Sequence, residues 1–203
     1  MVENTSGVSS ILSFPVIYEL IQRVFGARSG RRMVVDRFIR PKVGDHVLDV
    51  GCGPAKLLAL MPEVRYVGYD PNPRYIEDAR KSFGKRGSFI TGRFTADEVP
   101  KYERFDIGLL IGVLHHLDNN EAAALLALMQ AAIRPGGRIV TLDPVFIENQ
   151  NPIARKLIEW DRGKNVRRAS GYRALVSEHF SSVDETIIHK KIPPYTLFVM
   201  QCS

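Results

Sequence analysis

The feature that most constrains this chain is an apolar strand that runs directly into a glycine turn and then into a helical pattern. Val47, Leu48 and Val50 surround Asp49 in a short run typical of a buried strand, and Gly51-Cys52-Gly53 follows at once. Glycines at such a junction remove Cβ atoms, so the backbone can turn tightly and approach a ligand closely. The junction therefore predicts an α/β sheet with a ligand-binding loop after its first strand.

Short apolar strands alternate with helical stretches through the middle of the chain, which indicates βαβ units and a parallel sheet. The predicted strands are His46–Val50, Arg65–Tyr69, Ser88–Thr91, Phe105–Ile111 and Arg138–Leu142. The predicted helices between them are Ala55–Met61, Pro73–Phe83 and Glu121–Ile133, the last opened by an Asp118/Glu121 capping box. Two further strand-like runs, Val183–His189 and Tyr195–Cys202, predict a closing antiparallel hairpin.

Positive charge is concentrated in two segments outside this alternation. Ile21 to Lys42, in a predicted helical pair (Val16–Phe25 and Ser29–Ile39), carries seven basic residues against one acid. Arg155 to Arg173, in a predicted helical insert over Asn151–Phe180, carries seven against two, whereas the whole chain has a net charge of only +6. Two interpretations stay open: a basic rim that attracts an anionic ligand, or amphipathic helices with solvated basic faces.

A second acid follows the next predicted strand. Asp70 comes directly after Arg65–Tyr69 and lies 21 residues beyond Asp49. An acid at this distance from a glycine loop, at the tip of the neighbouring strand, can accept hydrogen bonds from both hydroxyls of a ribose. Loop, strand and acid together therefore predict a nucleoside-type ligand.

Four segments carry a family resemblance: VLDVGCGPA, YVGYDPN, FDIGLLIGVLHHL and IRPGGRIVTLDP. From about Lys42 to Pro144 the chain resembles the class I S-adenosylmethionine-dependent methyltransferases. Within that class it is most similar to the small-molecule enzymes known as methyltransferase types 11 and 12. The resemblance implies an α/β fold, a Rossmann-like three-layer sandwich whose seven-stranded, mostly parallel sheet ends in a C-terminal antiparallel hairpin and carries a helical cap. We expect one domain, divided into an N-terminal helical cap (1–42), a cofactor-binding core (43–144), a basic cap insert (145–180) and the hairpin (181–203).

The resemblance also assigns cofactor contacts. Asp49, Gly51 and Gly53 would hold the methionine part of S-adenosylmethionine, with Cys52 between the glycines as a small filler rather than a nucleophile. Asp70 would hold the ribose hydroxyls, with Pro71 beside it. The carbonyl of Leu110, followed by Ile111, would bind the amino group.

The adenine side departs from the family pattern. Arg93 stands where the family often has an Asp, and the next acid is Asp97. Either Asp97 takes that role or backbone groups near Phe94 bind the adenine alone, and we favour the backbone. Ala55 stands where a third glycine is frequent, a change expected to leave the turn open.

His115 and His116 follow the fourth predicted strand, where the family places groups beside the transferred methyl. Methyl transfer is an in-line displacement that demands positioning, and it needs a base only when the acceptor is protonated. A neutral imidazole suits that base near pH 7. Either histidine is a candidate catalytic base, and packing against the sheet is the alternative for each.

The expected activity is methyl transfer from S-adenosylmethionine to an oxygen, nitrogen or carbon of a small acceptor, with an anionic metabolite or a sugar or natural-product intermediate as the favoured class. The alternatives are an RNA methyltransferase, with the basic segments on phosphates, and an inactive cofactor-binding scaffold. Ile192-Pro193-Pro194-Tyr195 is similar to the signature of planar-nitrogen methyltransferases, but it lies in the predicted hairpin rather than after the fourth strand.

Several functional classes are disfavoured by composition and spacing. No Cys or His spacing matches a metal site, so we expect no metal. The longest apolar run, Ile107 to Leu114, is far shorter than a bilayer span, and the N-terminus does not resemble an export signal. We expect a cytoplasmic protein without membrane contact, acting as a monomer or homodimer.

Overall fold

The computed structural model describes residues 28–161 and 163–203. The strands are β1 (His46–Val50), β2 (Arg65–Asp70), β3 (Gly87–Thr91), β4 (Phe105–Ile111), β5 (Ile133–Phe146), β6 (Arg167–Arg168), β7 (Val183–Lys191) and β8 (Pro194–Cys202). The α-helices are α1 (Arg28–Val34), α2 (Pro73–Phe83), α3 (Asn119–Ala132), α4 (Pro152–Glu159) and α5 (Ala169–Ser177). Short 3-10 turns lie at Leu58–Leu60, Ala96–Lys101 and Leu114–His116.

The main sheet has the strand order β3-β2-β1-β4-β5-β8-β7. Strands β1 to β5 pair in parallel, whereas β8 pairs antiparallel with both β5 and β7. The two-residue strand β6 adds to the end of β5. The predicted seven-stranded sheet with a closing antiparallel hairpin is confirmed, and β6 is an addition that the sequence pattern did not predict.

Apolar residues cover both faces of the sheet, as an alternating strand pattern requires. On one face Val47 and Leu109 pack among residues of α1, α2 and α4, and on the other Leu48 and Leu110 pack among residues of α3 and α5. The same alternation continues in β8, where Leu197 and Phe198 belong to opposite faces. The predicted three-layer sandwich is confirmed.

Local sequence explains where two helices begin. Asp118 accepts from the Glu121 backbone N–H at 2.9 Å, and the Glu121 side chain accepts from the Asp118 N–H, which completes the predicted capping box of α3. Asn72 caps α2 by accepting from the Arg74 N–H, with Pro73 at the first helical position. Both predicted helices are confirmed to within two residues.

The predicted helix over Ala55–Met61 is wrong. Only the 3-10 turn at Leu58–Leu60 forms there, because the glycine turn runs through Ala55, whose φ is +52°, and Pro62 bounds the other end. The residue before a proline avoids helical angles, and Met61 is extended. Too few residues remain between these two constraints for a full helix.

The remaining predicted elements are confirmed with adjusted bounds. The predicted helix Ser29–Ile39 is α1 followed by a π-helical turn, Val35–Ile39, and the insert contains α4 and α5 with β6 between them. The predicted helix Val16–Phe25 lies outside the described residues, and the division of the chain at 42, 144 and 180 stays a prediction. Among the described residues, no helix is long and apolar enough to cross a membrane.

Candidate active site

The carboxyl ends of β1, β2, β4 and β5 meet at one edge of the sheet, where the glycine turn lies. The backbone N–H groups of Gly51 and Cys52 both donate to Tyr69 O, at 2.8 and 3.0 Å. Gly51 has φ +79°, and a Cβ there would lie 2.6 Å from Val113 Cγ2. A side chain at position 51 would therefore be strained and would also clash, so only glycine fits.

Asp70 is fixed against the same turn. Its Oδ2 accepts from Gly53 N at 2.9 Å and its Oδ1 accepts from Asn72 N at 2.8 Å. A carboxylate offers about four lone-pair sites, so two of them remain for further donors. Among the described residues, no atom lies within 4 Å of where a Cβ on Gly53 would stand, so the backbone at Gly53 is open.

Asp49 is buried at the end of β1, with 2% of its surface exposed. Its Oδ2 accepts a 2.6 Å hydrogen bond from the Tyr66 hydroxyl, whereas its Oδ1 has no partner among the described residues. Burial raises the pKa of Asp49 to about 7, the Tyr66 hydrogen bond opposes this rise, and the charge of Asp70 adds to it. The orphaned Oδ1 is suited to a cationic donor, which would compensate the burial of the carboxylate.

Cys52 lies within the turn and contacts the neighbouring strand. Its Sγ would be 2.8 Å from a Cβ on Gly68, and it donates weakly to Gly53 O at 3.4 Å. Burial and the nearby Asp49 and Asp70 carboxylates raise the pKa of the Cys52 thiol. A raised pKa keeps a thiol protonated near neutral pH, which favours the filler role predicted for Cys52.

Aromatic residues lie where the sequence predicts the adenine contacts. Phe94 is buried and packs edge-on against Tyr69, with ring centroids 5.2 Å apart. The Arg93 side chain is 80% exposed and reaches Glu121 at 3.9 Å, and Asp97 is exposed on the 3-10 turn that begins at Ala96. The assignments of Phe94, Asp97, Pro71, Leu110 and Ile111 to the cofactor stay predictions.

The two histidines after β4 have different environments. His115 is buried, and His116 is exposed with its ring centroid 4.0 Å from that of His115. His115 Nδ1 lies 2.7 Å from Asp143 Oδ1, which also accepts from the His115 backbone N at 3.1 Å. An ionised carboxylate only accepts hydrogen bonds, so this contact requires a hydrogen on His115 Nδ1, and in the neutral imidazole the lone pair is then on Nε2.

A second carboxylate lies on the other side of His115. Asp161 Oδ1 is 4.0 Å from His115 Nε2, and Asp161 Oδ2 accepts a 2.7 Å hydrogen bond from the Tyr195 hydroxyl. The side chains of His115 and Asp161 are each only 6% exposed. An imidazolium formed at His115 would therefore have a buried carboxylate near each ring nitrogen.

Residues 163–167 contact the turn that carries His115. A Cβ on Gly163 would lie 1.9 Å from His115 Cδ2, so this close approach requires glycine. Asn165 N donates to His115 O at 3.0 Å. Arg167 donates to the carbonyls of Leu114 and Leu117, both at 2.8 Å. The cap insert is therefore bonded directly to the loop that carries His115.

Other basic residues of the insert also have local partners. Arg155 pairs with Glu159 at 3.1 Å, and Arg173 donates twice to Glu185 at 2.6 Å. Before β1, Arg40 donates to Gln201 at 3.0 Å. These contacts favour structural and solvated roles for the named cations over a rim that attracts an anion.

Sequence reasoning did not identify three residues that contact or flank the His115 ring: Asp143, Asp161 and Gly163. A signal existed for Asp143, because it lies near the carboxyl end of β5 in the same way that Asp49 and Asp70 end β1 and β2. Asp161 and Gly163 lie in the insert, where no periodic pattern marks them. Tyr195, at the end of the Pro-Pro motif in the hairpin, has a buried ring, and its hydroxyl donates to Asp161.

The sequence profile described as "Methyltransferase domain" matches residues 47–137, the segment from β1 to the start of β5. Residues 47–137 therefore match a methyltransferase domain. The solved apo structure of the S-adenosylmethionine-dependent methyltransferase SibL has the same fold as this methyltransferase domain and its flanking elements: the TM-score is 0.70 at 21% identity, over 93% of this chain and 59% of that one.

Two curated relatives extend the comparison. Ubiquinone biosynthesis O-methyltransferase of Methylocella silvestris is 36% identical over 107 residues, which are 50% of this chain and 41% of that protein. The tRNA (carboxymethyluridine(34)-5-O)-methyltransferase of Arabidopsis thaliana is 29% identical over 181 residues, 78% of this chain and 43% of that protein. The chain thus spans less than half the length of these two relatives.

The residues present fit S-adenosylmethionine. The unpartnered Asp49 Oδ1 suits the ammonium of the methionine part, the open backbone at Gly53 leaves room for that part, and the unused lone pairs of Asp70 suit ribose hydroxyls. The cofactor expected from the sequence is thus compatible with the site.

Proposed function

We propose that the protein transfers the methyl group of S-adenosylmethionine to a hydroxyl oxygen of a small acceptor, with His115 as the general base. The single observation that carries the proposal is the buried 2.7 Å contact between His115 Nδ1 and Asp143 Oδ1. It orients the ring and leaves the Nε2 lone pair available for a proton. The Methylocella silvestris relative, an O-methyltransferase by name, supports oxygen as the acceptor atom.

In this mechanism Asp49, Gly51, Gly53 and Asp70 would hold the cofactor, which would supply a methyl group on a positively charged sulfur. The acceptor hydroxyl would donate to His115 Nε2 and pass its proton to that nitrogen; its oxygen would bond to the methyl carbon while the bond from that carbon to sulfur breaks, with S-adenosylhomocysteine as the leaving group. Asp143 and Asp161 stabilise the resulting imidazolium, since opposite charges nearby favour the protonated ring.

Two variants test the role of His115. His115→Asn and Asp143→Asn should each lower the rate of radiolabelled methyl transfer to a panel of small phenols and hydroxy acids, by about 10²- to 10⁴-fold for the histidine. Binding of S-adenosylhomocysteine should remain near the wild-type affinity in both, which separates lost chemistry from lost folding. If His116→Asn abolishes transfer and His115→Asn does not, the assignment of the base is wrong.

A tRNA nucleoside is the second candidate acceptor, because the Arabidopsis thaliana relative is named for a tRNA substrate. Binding of total tRNA that falls steeply with salt, together with methyl transfer to tRNA and none to the small-molecule panel, would favour it. The third alternative, an inactive scaffold, would be favoured if S-adenosylmethionine binds but no acceptor is methylated.

A further inference from the structure

Tyr195, near the start of β8, lies on the face of the sheet that carries α4. It belongs to the same apolar cluster as Leu197 of β8 and Ile158 of α4, whereas Phe198 belongs to the cluster on the opposite face. This division follows from the alternation of side chains along a strand. Tyr195 is buried, so the closing hairpin brings a phenol hydroxyl into the packed layer beside the end of α4.

Asp161 follows the end of α4, and three hydrogen bonds fix its position. Its backbone N–H donates to Ile158 O at 3.0 Å, and its Oδ1 accepts from Gly163 N at 3.3 Å. Its Oδ2 accepts from the Tyr195 hydroxyl at 2.7 Å. The first two bonds are local to the insert, and the third ties the carboxylate to the sheet. Because the Asp161 side chain is buried, loss of that donor would leave a polar atom unsatisfied.

The Tyr195 hydroxyl is suited to hold a carboxylate without neutralising it. Burial, and then the charge of Asp161, raise the pKa of this hydroxyl, so it stays protonated and remains a donor. A lysine or arginine in its place would bring a positive charge to Asp161. A neutral donor instead leaves the negative charge of Asp161 to act on the His115 ring.

The separation between Asp161 and His115 determines what that charge can do. Asp161 Oδ1 lies 4.0 Å from His115 Nε2, beyond the usual hydrogen-bond range of about 2.7–3.2 Å. The carboxylate therefore does not occupy the Nε2 lone pair and interacts with an imidazolium through charge alone. Since that interaction weakens with distance, a carboxylate that turned away from the ring would stabilise the imidazolium less.

We propose that Tyr195 is a positioning residue for the base: its hydroxyl holds Asp161 where the carboxylate stabilises the His115 imidazolium and leaves Nε2 open to the acceptor. The proposal rests on the proposed function, because it concerns the same base. The closing hairpin then contributes to methyl transfer through Asp161.

A kinetic double-mutant cycle in the full-length protein tests this role, with Tyr195→Phe, Asp161→Asn and the double variant assayed on the best acceptor of the panel. Tyr195→Phe keeps the ring and should lower kcat about tenfold, with KM for S-adenosylmethionine and affinity for S-adenosylhomocysteine near wild type. In the Asp161→Asn background the same change should lower kcat less than about twofold, because the charge that Tyr195 positions is already gone. Other contacts of the Tyr195 hydroxyl cancel in this comparison.

Tyr172→Phe is the matched control. Tyr172 is also buried, and its hydroxyl donates to a backbone carbonyl, Pro144 O, at 3.0 Å. Removing this hydroxyl costs a comparable hydrogen bond but leaves Asp161 in place. The control should therefore keep kcat within about twofold of wild type, even if it unfolds at lower urea concentration.

Nitrogen NMR of histidine-labelled protein tests the same contact without turnover. The His115 signals are assigned by their absence from His115→Asn. The Nε2 resonance should move in the same direction in Tyr195→Phe and Asp161→Asn, because both weaken the field of the carboxylate at that nitrogen. It should stay close to its wild-type position in Tyr172→Phe.

The proposal is overturned if Tyr195→Phe lowers kcat equally in both backgrounds, or if it destabilises the protein but leaves kcat and the Nε2 resonance unchanged. If Asp161→Asn does not fold, the comparison of Tyr195→Phe with Tyr172→Phe decides. If the folded wild type methylates no acceptor of the panel, the proposed function has failed, and an unmoved Nε2 resonance in Tyr195→Phe would then overturn the positioning role separately.

Discussion

Replacing Asp49 by Asn should change how the stability of the protein depends on pH. The pKa of Asp49 is raised from 3.8 to about 7 in the folded state, mainly by burial. The folded state therefore holds a proton that the unfolded state has released between about pH 4 and pH 7, so wild-type stability falls as pH rises through this window. A shift of about 3 pKa units corresponds to about 4 kcal/mol.

The assay is urea unfolding of wild type and Asp49→Asn from pH 4.5 to pH 8.5, with the difference in unfolding free energy plotted against pH. Because Asn does not titrate, the difference should move by about 3 kcal/mol in favour of the variant across this range. Asp106→Asn is the control, since hydrogen bonds from His46 N and Arg134 outweigh burial and hold the pKa of Asp106 below its usual range. Its contribution is present above the unfolded pKa and lost only at lower pH, so its curve should be flat here.

A parallel pH profile for wild type and Asp49→Asn would refute the reasoning, because it would mean that the buried carboxylate does not titrate in this window. The same group couples to the cofactor. If the ammonium of S-adenosylhomocysteine binds at Asp49 Oδ1, it favours the carboxylate, so affinity should rise with pH up to about 7 and binding at pH 6 should release protons into the buffer.

Three further substitutions test the geometry of the site. Gly163→Ala should displace the His115 ring, so it should lower the free energy of unfolding in urea by about 1–3 kcal/mol and slow methyl transfer about 10²-fold. Gly171→Ala in α5 is the control, because the nearest atom to its added Cβ is 3.3 Å away. It should change the free energy of unfolding by about 1 kcal/mol or less. Gly51→Ala should lower the free energy of unfolding by about 1–2 kcal/mol because of its positive φ, and further because of the clash with Val113. Adding Val113→Ala should restore only the part due to the clash. A double-mutant cycle by thermal or urea unfolding measures that part. Arg167→Met should lower the free energy of unfolding by about 2 kcal/mol. Arg167→Lys should recover less than half of that loss in urea titrations, because one ammonium cannot reach both the Leu114 and the Leu117 carbonyls. Full recovery in the lysine variant would mean that the charge alone matters.

The core of the fold was predictable because its signals are local. The run of Val47, Leu48 and Val50 around Asp49 predicts a strand buried on both faces, and Asp118 with Glu121 marks the start of α3. The helix expected after the glycine turn was wrong because its periodic residues lie between a turn that includes Ala55 and the break at Pro62. The spacing of apolar residues alone does not show that the segment between these two breaks is too short for a full helix.

The site divides in the same way. Gly51, Gly53 and Asp70 lie within 20 residues of one another in the sequence, so a motif with fixed spacing predicts them as site residues. The surroundings of His115 depend on Asp143, 28 residues later, and on Asp161 beyond the end of α4, and no local pattern connects residues that far apart. The charge pattern indicated the insert as a candidate anion site, yet Arg155 and Arg173 are paired with nearby acids.

The most direct test of the account is calorimetric titration of S-adenosylhomocysteine into the full-length wild-type protein and into Asp70→Ala. The account predicts one-site binding to the wild type and at least about tenfold weaker binding to the variant, because the hydrogen bonds to the ribose hydroxyls are lost. No binding to the folded wild type, or equal binding to both proteins, would contradict the cofactor site at the ends of β1 and β2.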